Sequence, residues 1–332
     1  MGPPSRRAPA APLPAVWTAQ LATLASTAPA GDAWLHEIKL DGYRIGCRID
    51  HGAVQLMGRR GSAWGDKFPE LREAARKLPA TTALLDGEVA VVDPEGHTHF
   101  QLLQELLSGG SRAGLVYFVF DLLHLDGEDL TRRPLEERKQ RLDELLRAAR
   151  PGLPVRSVGH IIGNGAAVFA QACQLGLEGI VSKRREQPHQ PGRGMGWLKT
   201  KCALRQEFVV GGFTLPKGTR TGIGALFCGH TDDAGNLLFA GKVGTGFTER
   251  TAVDLRRQLE PLEQTTCPFT PLPDPASRRG ARWVQPRLVV EVRFANWTGD
   301  GRLRHASFEG VRTDKLPGDV HREQPHDPDE PP

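Results

Sequence analysis

The stretch EIKLDGYR, residues 37–44, decides how this chain is read. It lies inside alternating apolar sequence of the kind that forms strands, yet Glu37, Lys39, Asp41 and Arg44 all carry charge. Strands are depleted in Lys, Glu and Asp, so local structure does not ask for these residues. A lysine set between two carboxylates beside an Asp-Gly pair needs a chemical reason.

The flanking segments WLHEIKL (34–40) and YRIGCRI (43–49) alternate, and Asp41-Gly42 between them is a hairpin turn signal. VQLMG (54–58) adds a third strand. FPELREAARKL (68–78) reads as a helix with Leu71, Ala74, Ala75 and Leu78 on one stripe. TALLDGEVAVVD (82–93) and LVYFVFDLLHL (115–125) are strand-like. RPLEERKQRLDELLRAAR (133–150) is a helix, with Pro134 near its start and Leu135, Leu142, Leu145 and Leu146 on one face. Glu137 and Arg141 stand at i,i+4 on it. AAVFAQACQLG (166–176) is a further helix stopped by Gly176, and EGIVSK (178–183) and GWLKTKC (196–202) are buried strands with charged ends.

From about Arg205 the character changes. EFVVGGFTL, GALFCGHTD, NLLFAGKVG and RLVVEVRFANWT are short strands with Gly-rich connections, interrupted by one helix over about 249–262. That pattern predicts a small β-barrel, so the chain divides near 203–206 into an α+β domain and a barrel. A length of 332 residues suits two domains.

Net charge is +4, and its distribution says more than its size. Nine Arg/Lys stand against four Asp/Glu between Arg278 and Lys315, with Trp283 and Trp297 interleaved, a footprint for a polyanion. The five cysteines are odd in number and form no C-x-x-C, so free thiols in a reducing compartment are expected. No signal-peptide pattern and no run of about 18 apolar residues occurs, which predicts a cytoplasmic protein without a membrane span. Residues 1–13, rich in Pro, Ala and Arg, are expected to be a flexible arm, and 317–332 a disordered tail.

A free lysine amine with a pKa near 10.4 needs about 4.6 kcal/mol to reach its neutral, nucleophilic form at pH 7. Glu37 and Asp41 would raise that cost, so cations must offset them. The sequence offers Lys199 and Lys201 at i,i+2, on one face of a strand. It also sets Glu88 and Glu178 at the rims of apolar strands, hard oxygen donors of the kind that suit Mg²⁺. His36, His124 and His160 lack any partner pattern and read as packing or solvent residues.

The box K39-L-D-G-Y-R44 resembles the K-x-D-G-x-R motif of covalent nucleotidyltransferases: DNA ligases, RNA ligases and mRNA capping enzymes. GRRG (58–61), LDGE (85–88), VFDLLHLDG (119–127), EGIVSK (178–183), WLKTK (197–201) and LRHASFEGVRTDK (303–315) resemble the family's further motifs in the right order. The likeness runs from about Pro14 to Lys315. It is nearest to the ATP-dependent ligase module of bacterial ligase D.

The resemblance implies an adenylation domain of antiparallel sheets with helices over 14–205, followed by an OB-fold domain over 206–316. It implies that Lys39 attacks the α-phosphate of ATP. Glu37 would lie near the adenine amino group, and Phe120 would stack on the base. Asp41, Glu88 and Glu178 would organise Mg²⁺ (or Mn²⁺) and the ribose. Arg44 and Arg59 would hold nucleotide or nick phosphates, and Lys199 and Lys201 the α-phosphate. Lys183, Arg193 and Arg205 are weaker correspondences. Arg304, Arg312, Asp314 and Lys315 would orient pyrophosphate.

Arg60, Asn296 and Ala306 depart from the usual Asn, acidic residue and Pro, and none removes a proposed catalytic group. The implied substrate is nicked double-stranded DNA, handled by a monomer associated with the nucleoid. No polymerase or nuclease module is present, which leaves two expectations open: a standalone ligase, or one that works with Ku and separate polymerase or nuclease proteins. Two other readings stay open: an RNA ligase or capping-type nucleotidyltransferase, and a catalytically silent nucleic-acid-binding module.

Overall fold

The computed structural model describes residues 10–216, 218 and 221–326. The chain forms two compact units, residues 1–202 with 325–332, and residues 203–324.

The first unit is α+β and holds two sheets. The five-stranded sheet has the order Gln20–Leu24, Gly192–Lys201, Gly179–Arg184, Trp34–Ile38, Ile161–Ile162. The six-stranded sheet runs Ala53–Gly58, Tyr43–Asp50, Thr82–Val91, Leu115–Leu125, Glu128–Asp129, with Val155–Ser157 added parallel to Leu115–Leu125. Apart from that pair and the parallel edge pair of the first sheet, the pairings are antiparallel.

The predicted hairpin at Asp41-Gly42 is absent. Trp34–Ile38 pairs with Gly179–Arg184, whereas Tyr43–Asp50 pairs with Ala53–Gly58 and Thr82–Val91. The Asp-Gly pair therefore marks the joint where the chain leaves one sheet and enters the other. Gly42 is required there for close approach: a Cβ would lie 2.1 Å from the Val89 carbonyl oxygen.

The expected helices form over Pro69–Arg76, Leu135–Ala148 and Gly165–Gln174, and a further one over Phe100–Leu107. Leu71, Ala74, Ala75, Phe100, Leu103, Leu142 and Leu145 bury against Tyr43, Ile45, Leu85, Val89 and Tyr117 in the main core. Arg141 pairs with Glu128 and Glu144, and Glu137 with Arg133, so the expected Glu137–Arg141 pair is replaced by other partners.

The second unit is a seven-stranded antiparallel sheet centred on Leu204–Thr214, with the helix Glu249–Leu259. Alternate residues of its strands feed different clusters. Phe208, Val210, Leu226, Cys228, Val290 and Val292 join Leu255 and Leu259 of the helix. Val209, Phe227 and Val289 pack instead with Leu237, Phe239, Phe269 and Val320. Bulges at Val210/Gly212, Cys228/Gly229 and Glu291/Val292 bend the strands, the device by which a short sheet curls toward a barrel.

Both chain ends differ from expectation where they are described. Ala11 donates its backbone N–H to Gly127, and Leu13 packs on the Trp17 cluster. Val320 is buried, and Gln206 bonds the chain on both sides of Arg322, through the His321 carbonyl and the Glu323 N–H. His326 bridges to Ala25. A buried valine, hydrogen bonds from backbone and side chains, and Arg322 lying 4.4 Å over the Trp297 ring hold so polar a stretch. The rest of the expected arm and tail, 1–9 and 327–332, lies outside the described residues.

The expectation of free thiols also fails in part. Cys173 and Cys202 form a disulfide across a sequence separation of 29, while Cys47, Cys228 and Cys267 are free.

Candidate active site

Lys39 sits on the joint between the two sheets. Its N–H donates to the Gly179 carbonyl, which extends the pairing of Ile38 with Ile180 by one residue. Gly179 has φ of 148° and a Cβ there would lie 2.1 Å from the Thr200 carbonyl oxygen, so this position too needs glycine. Leu40 is buried with Phe120, Val158 and Trp197, which pins the residue next to the lysine.

The Lys39 Nζ lies 2.6 Å from Glu178 Oε1. Burial alone would depress its pKa. The carboxylates of Glu178, Glu88 and Asp41 outweigh burial and hold the amine above the ordinary lysine value. Glu88 also accepts the Gly42 N–H at 2.9 Å, and Asp41 accepts the Phe100 N–H at 3.2 Å while its own N–H donates to Thr98 Oγ1. Three hard carboxylates around one ammonium are the donor chemistry that Mg²⁺ or Mn²⁺ takes, so these residues fit a divalent ion.

One face of the five-stranded sheet carries the rest. The register sets Glu37 and Lys199 opposite Val181, Trp197 opposite Lys183, and Lys201 opposite Gly179, so these residues share a face. Glu37 is buried between two ammonium groups, with Lys139 and Lys183 each 2.5 Å away. Burial would raise its pKa, but the two lysines win and keep it ionised. Burial pushes the Lys183 amine down to about 8, with Lys139 adding to the shift and Glu37 opposing it.

The Lys183 Nζ also stands 4.2 Å from the centre of the Phe120 ring and 4.0 Å from that of Trp197. Arg44 covers Phe120 from 4.4 Å, so that ring carries two cation–π contacts. The Arg44 guanidinium forks onto Asp86 at 2.6 and 2.8 Å and donates to the Gln20 carbonyl. It is thus committed to a buried carboxylate as well as to the aromatic ring.

The remaining residues lie farther out. Arg193 is exposed and donates to the Ala22 carbonyl at 2.6 Å. Arg59 lies on the turn after Ala53–Gly58, where the Gly61 N–H closes onto the Gly58 carbonyl. The three histidines show no ligating arrangement: His36 bonds Ser182 Oγ, His124 contacts Thr82 and the Gly127 N–H, and His160 is exposed.

In the second unit, Arg312 forks onto Asp314 at 2.8 Å through both arms and reaches Glu291 at 3.0 Å. Lys315 pairs with Glu207 at 2.6 Å, and Arg205 faces Glu291 and Glu309 at 3.5 and 3.8 Å. Arg304 is exposed on a two-residue strand paired with Asn296–Trp297.

Sequence reasoning missed Lys139, Arg138 and Asp121. Lys139 holds Glu37, and Arg138 forks onto Asp121 at 2.7 and 2.8 Å with both side chains fully buried. A signal existed. Residues 138 and 139 fall three and four positions after Leu135 and before Leu142, on the apolar stripe of their helix. A charge on such a stripe is buried and must be paired.

Comparison with known proteins agrees with this architecture. Residues 18–201 match the model of the ATP dependent DNA ligase domain, and residues 219–315 that of the ATP dependent DNA ligase C terminal region. The chain is 40% identical over 319 residues to the multifunctional non-homologous end joining protein LigD of Pseudomonas aeruginosa, covering 96% of this chain and 38% of that one. It is 39% identical over 293 residues to the multifunctional non-homologous end joining DNA repair protein LigD of Mycobacterium tuberculosis, covering 87% and 37%. It thus spans well under half the length of these relatives. Among solved structures, a mycobacterial DNA ligase D complexed with ATP and MES matches with a TM-score of 0.69 at 37% identity, over 92% of this chain and 98% of that chain. The ligase domain from M. tuberculosis LigD matches over the same shares with a TM-score of 0.51. The chain belongs to the ATP-dependent DNA ligase family.

Proposed function

We propose that this chain seals nicks in double-stranded DNA, joining a 5′-phosphate to a 3′-hydroxyl at the expense of ATP. The observation that carries the reading is Lys39 itself: a lysine on a joint between two sheets, faced by Glu178, Glu88 and Asp41, and beside a sheet face bearing Lys183, Lys199 and Lys201. In the first step the Lys39 amine attacks the α-phosphate of ATP, forming a phosphoramidate and releasing pyrophosphate. AMP then passes to the 5′-phosphate at the nick. The 3′-hydroxyl attacks that activated phosphate, and AMP leaves. Positioning and charge stabilisation carry all three transfers.

Asp41, Glu88 and Glu178 would hold the divalent ion, which supplies positive charge against the phosphates. Glu37 would meet the adenine amino group and Phe120 the base, while Lys199, Lys201, Arg44 and Arg59 face phosphates. Lys183 and Arg193 complete the nucleotide contacts. Arg304, Arg312, Asp314 and Lys315 would orient pyrophosphate, which requires the barrel domain to swing about residues 203–208.

The two LigD relatives are non-homologous end joining proteins, which supports this reading. We assign this chain the sealing step of such a pathway, with Ku and separate polymerase and nuclease proteins as candidate partners. Nick sealing with ATP, and transfer of label from ATP but not GTP, are the expected results. Label taken from GTP alone would favour a capping-type enzyme. Normal binding of nicked DNA without any adduct would favour a silent binding module.

A further inference from the structure

We propose that the loop Asp93–His99 is a site for one first-row transition ion of the Zn²⁺ type, separate from the carboxylates around Lys39. Asp93, His97 and His99 place one ligating atom each within 4.8 Å of one another. Asp93 Oδ2 lies 2.8 Å from His99 Nε2 and 3.6 Å from His97 Nδ1. Ligands at about 2.0–2.1 Å in a tetrahedral shell stand roughly 3.3 Å apart, so the two observed spacings bracket what an ion would impose.

The loop holds these groups before any ion arrives. Asp93 Oδ1 accepts the His97 N–H at 2.8 Å, which turns Oδ2 toward the imidazoles. The Asp93 N–H donates to the His97 carbonyl, the Gly96 N–H to the Asp93 carbonyl, and Val92 bridges to Thr98. His97 and His99 stand two apart in extended chain, so their side chains leave on one side. The imidazoles are 39% and 50% exposed, leaving an open path for the ion and room for water to complete the shell.

Two imidazoles and one carboxylate select a transition ion over Mg²⁺, which prefers oxygen donors and keeps its waters. An ion there is ligated through the ring nitrogens that now face Asp93. The site also adjoins the catalytic joint. Thr98, between the two histidines, accepts the Asp41 N–H, and Phe100 donates to Asp41 Oδ2. An ion held by His97 and His99 therefore braces the segment that holds Asp41.

The test is titration of the metal-free full chain with Zn²⁺ against a chromogenic chelator, repeated with His97→Gln, His99→Gln and the double variant. Circular dichroism without metal checks that each is folded. One equivalent bound by the wild type, weakened at least about tenfold by each single change and lost in the double variant, is the expected result. Absence of stoichiometric binding in the wild type, or binding that persists in the double variant, overturns the site.

Discussion

Replacing Glu37 by glutamine removes the one carboxylate that separates the Lys139 and Lys183 ammonium groups, each 2.5 Å from it. All three side chains are at most 3% exposed, so the loss leaves two buried positive charges facing one another. Breaking a buried pair costs about 3–5 kcal/mol. The cost should depend on pH. Lys183 titrates at about 8 in the folded protein against 10.5 for an ordinary lysine. Glu37 opposes that depression, so losing its charge lowers the Lys183 value further.

The sign follows from proton linkage. A lysine with a depressed folded pKa binds fewer protons folded than unfolded, so stability rises with pH from the folded value up to 10.5. In the variant this rise begins at a lower pH, so part of the lost stability returns between pH 6 and pH 8. Glu37 is ionised throughout that window and adds no slope of its own. Urea unfolding of both proteins at pH 6 and pH 8 is the assay. A destabilisation of about 3–5 kcal/mol at pH 6 that shrinks at pH 8 is expected. Equal destabilisation at the two pH values would refute the reasoning, as would a loss below about 1 kcal/mol.

Three other changes probe the frame around the site. Arg138→Met strands the buried Asp121 carboxylate and should cost about 3–5 kcal/mol in denaturant unfolding; pairing it with Asp121→Leu should recover part of that, and strict additivity would show the two do not interact. Reducing the Cys173–Cys202 disulfide, which spans 29 residues, should lower stability by about 3–4 kcal/mol, and a Cys202→Ser protein should no longer respond to reductant. Gly42→Ala drives a methyl group into the Val89 carbonyl, so the rate of self-adenylation should fall about 100-fold with little loss of fold by circular dichroism; an unchanged rate would mean the joint tolerates displacement.

Much of this was legible in the sequence because periodicity and motif order are local properties. The helix Leu135–Ala148 and the strands around Glu88, Lys183 and Lys199 lie where their patterns put them. The misreadings share one cause: partners distant in sequence. Asp41-Gly42 carries a hairpin signal, but Trp34–Ile38 finds its neighbour in Gly179–Arg184, far along the chain. Cys173 and Cys202 have no spacing signature, and meet because the helix Gly165–Gln174 packs on Gly179–Arg184, whose partner strand Gly192–Lys201 ends just before Cys202. Arg138 and Lys139 were readable from their stripe positions, yet look like solvent charges until Asp121 and Glu37 are brought against them. The Asp93–His99 loop escaped for a different reason: three ligands on one turn read as ordinary polar loop residues until side-chain directions are known.

The central claim is that Lys39 is the nucleophile. Peptide mass spectrometry of the protein after incubation with ATP and Mg²⁺ tests it most directly. The account predicts one AMP adduct, on the peptide carrying Lys39, released as phosphoramidates are by acid and absent from Lys39→Ala. An adduct on Lys183, Lys199 or Lys201 instead, or one that persists in Lys39→Ala, would contradict it.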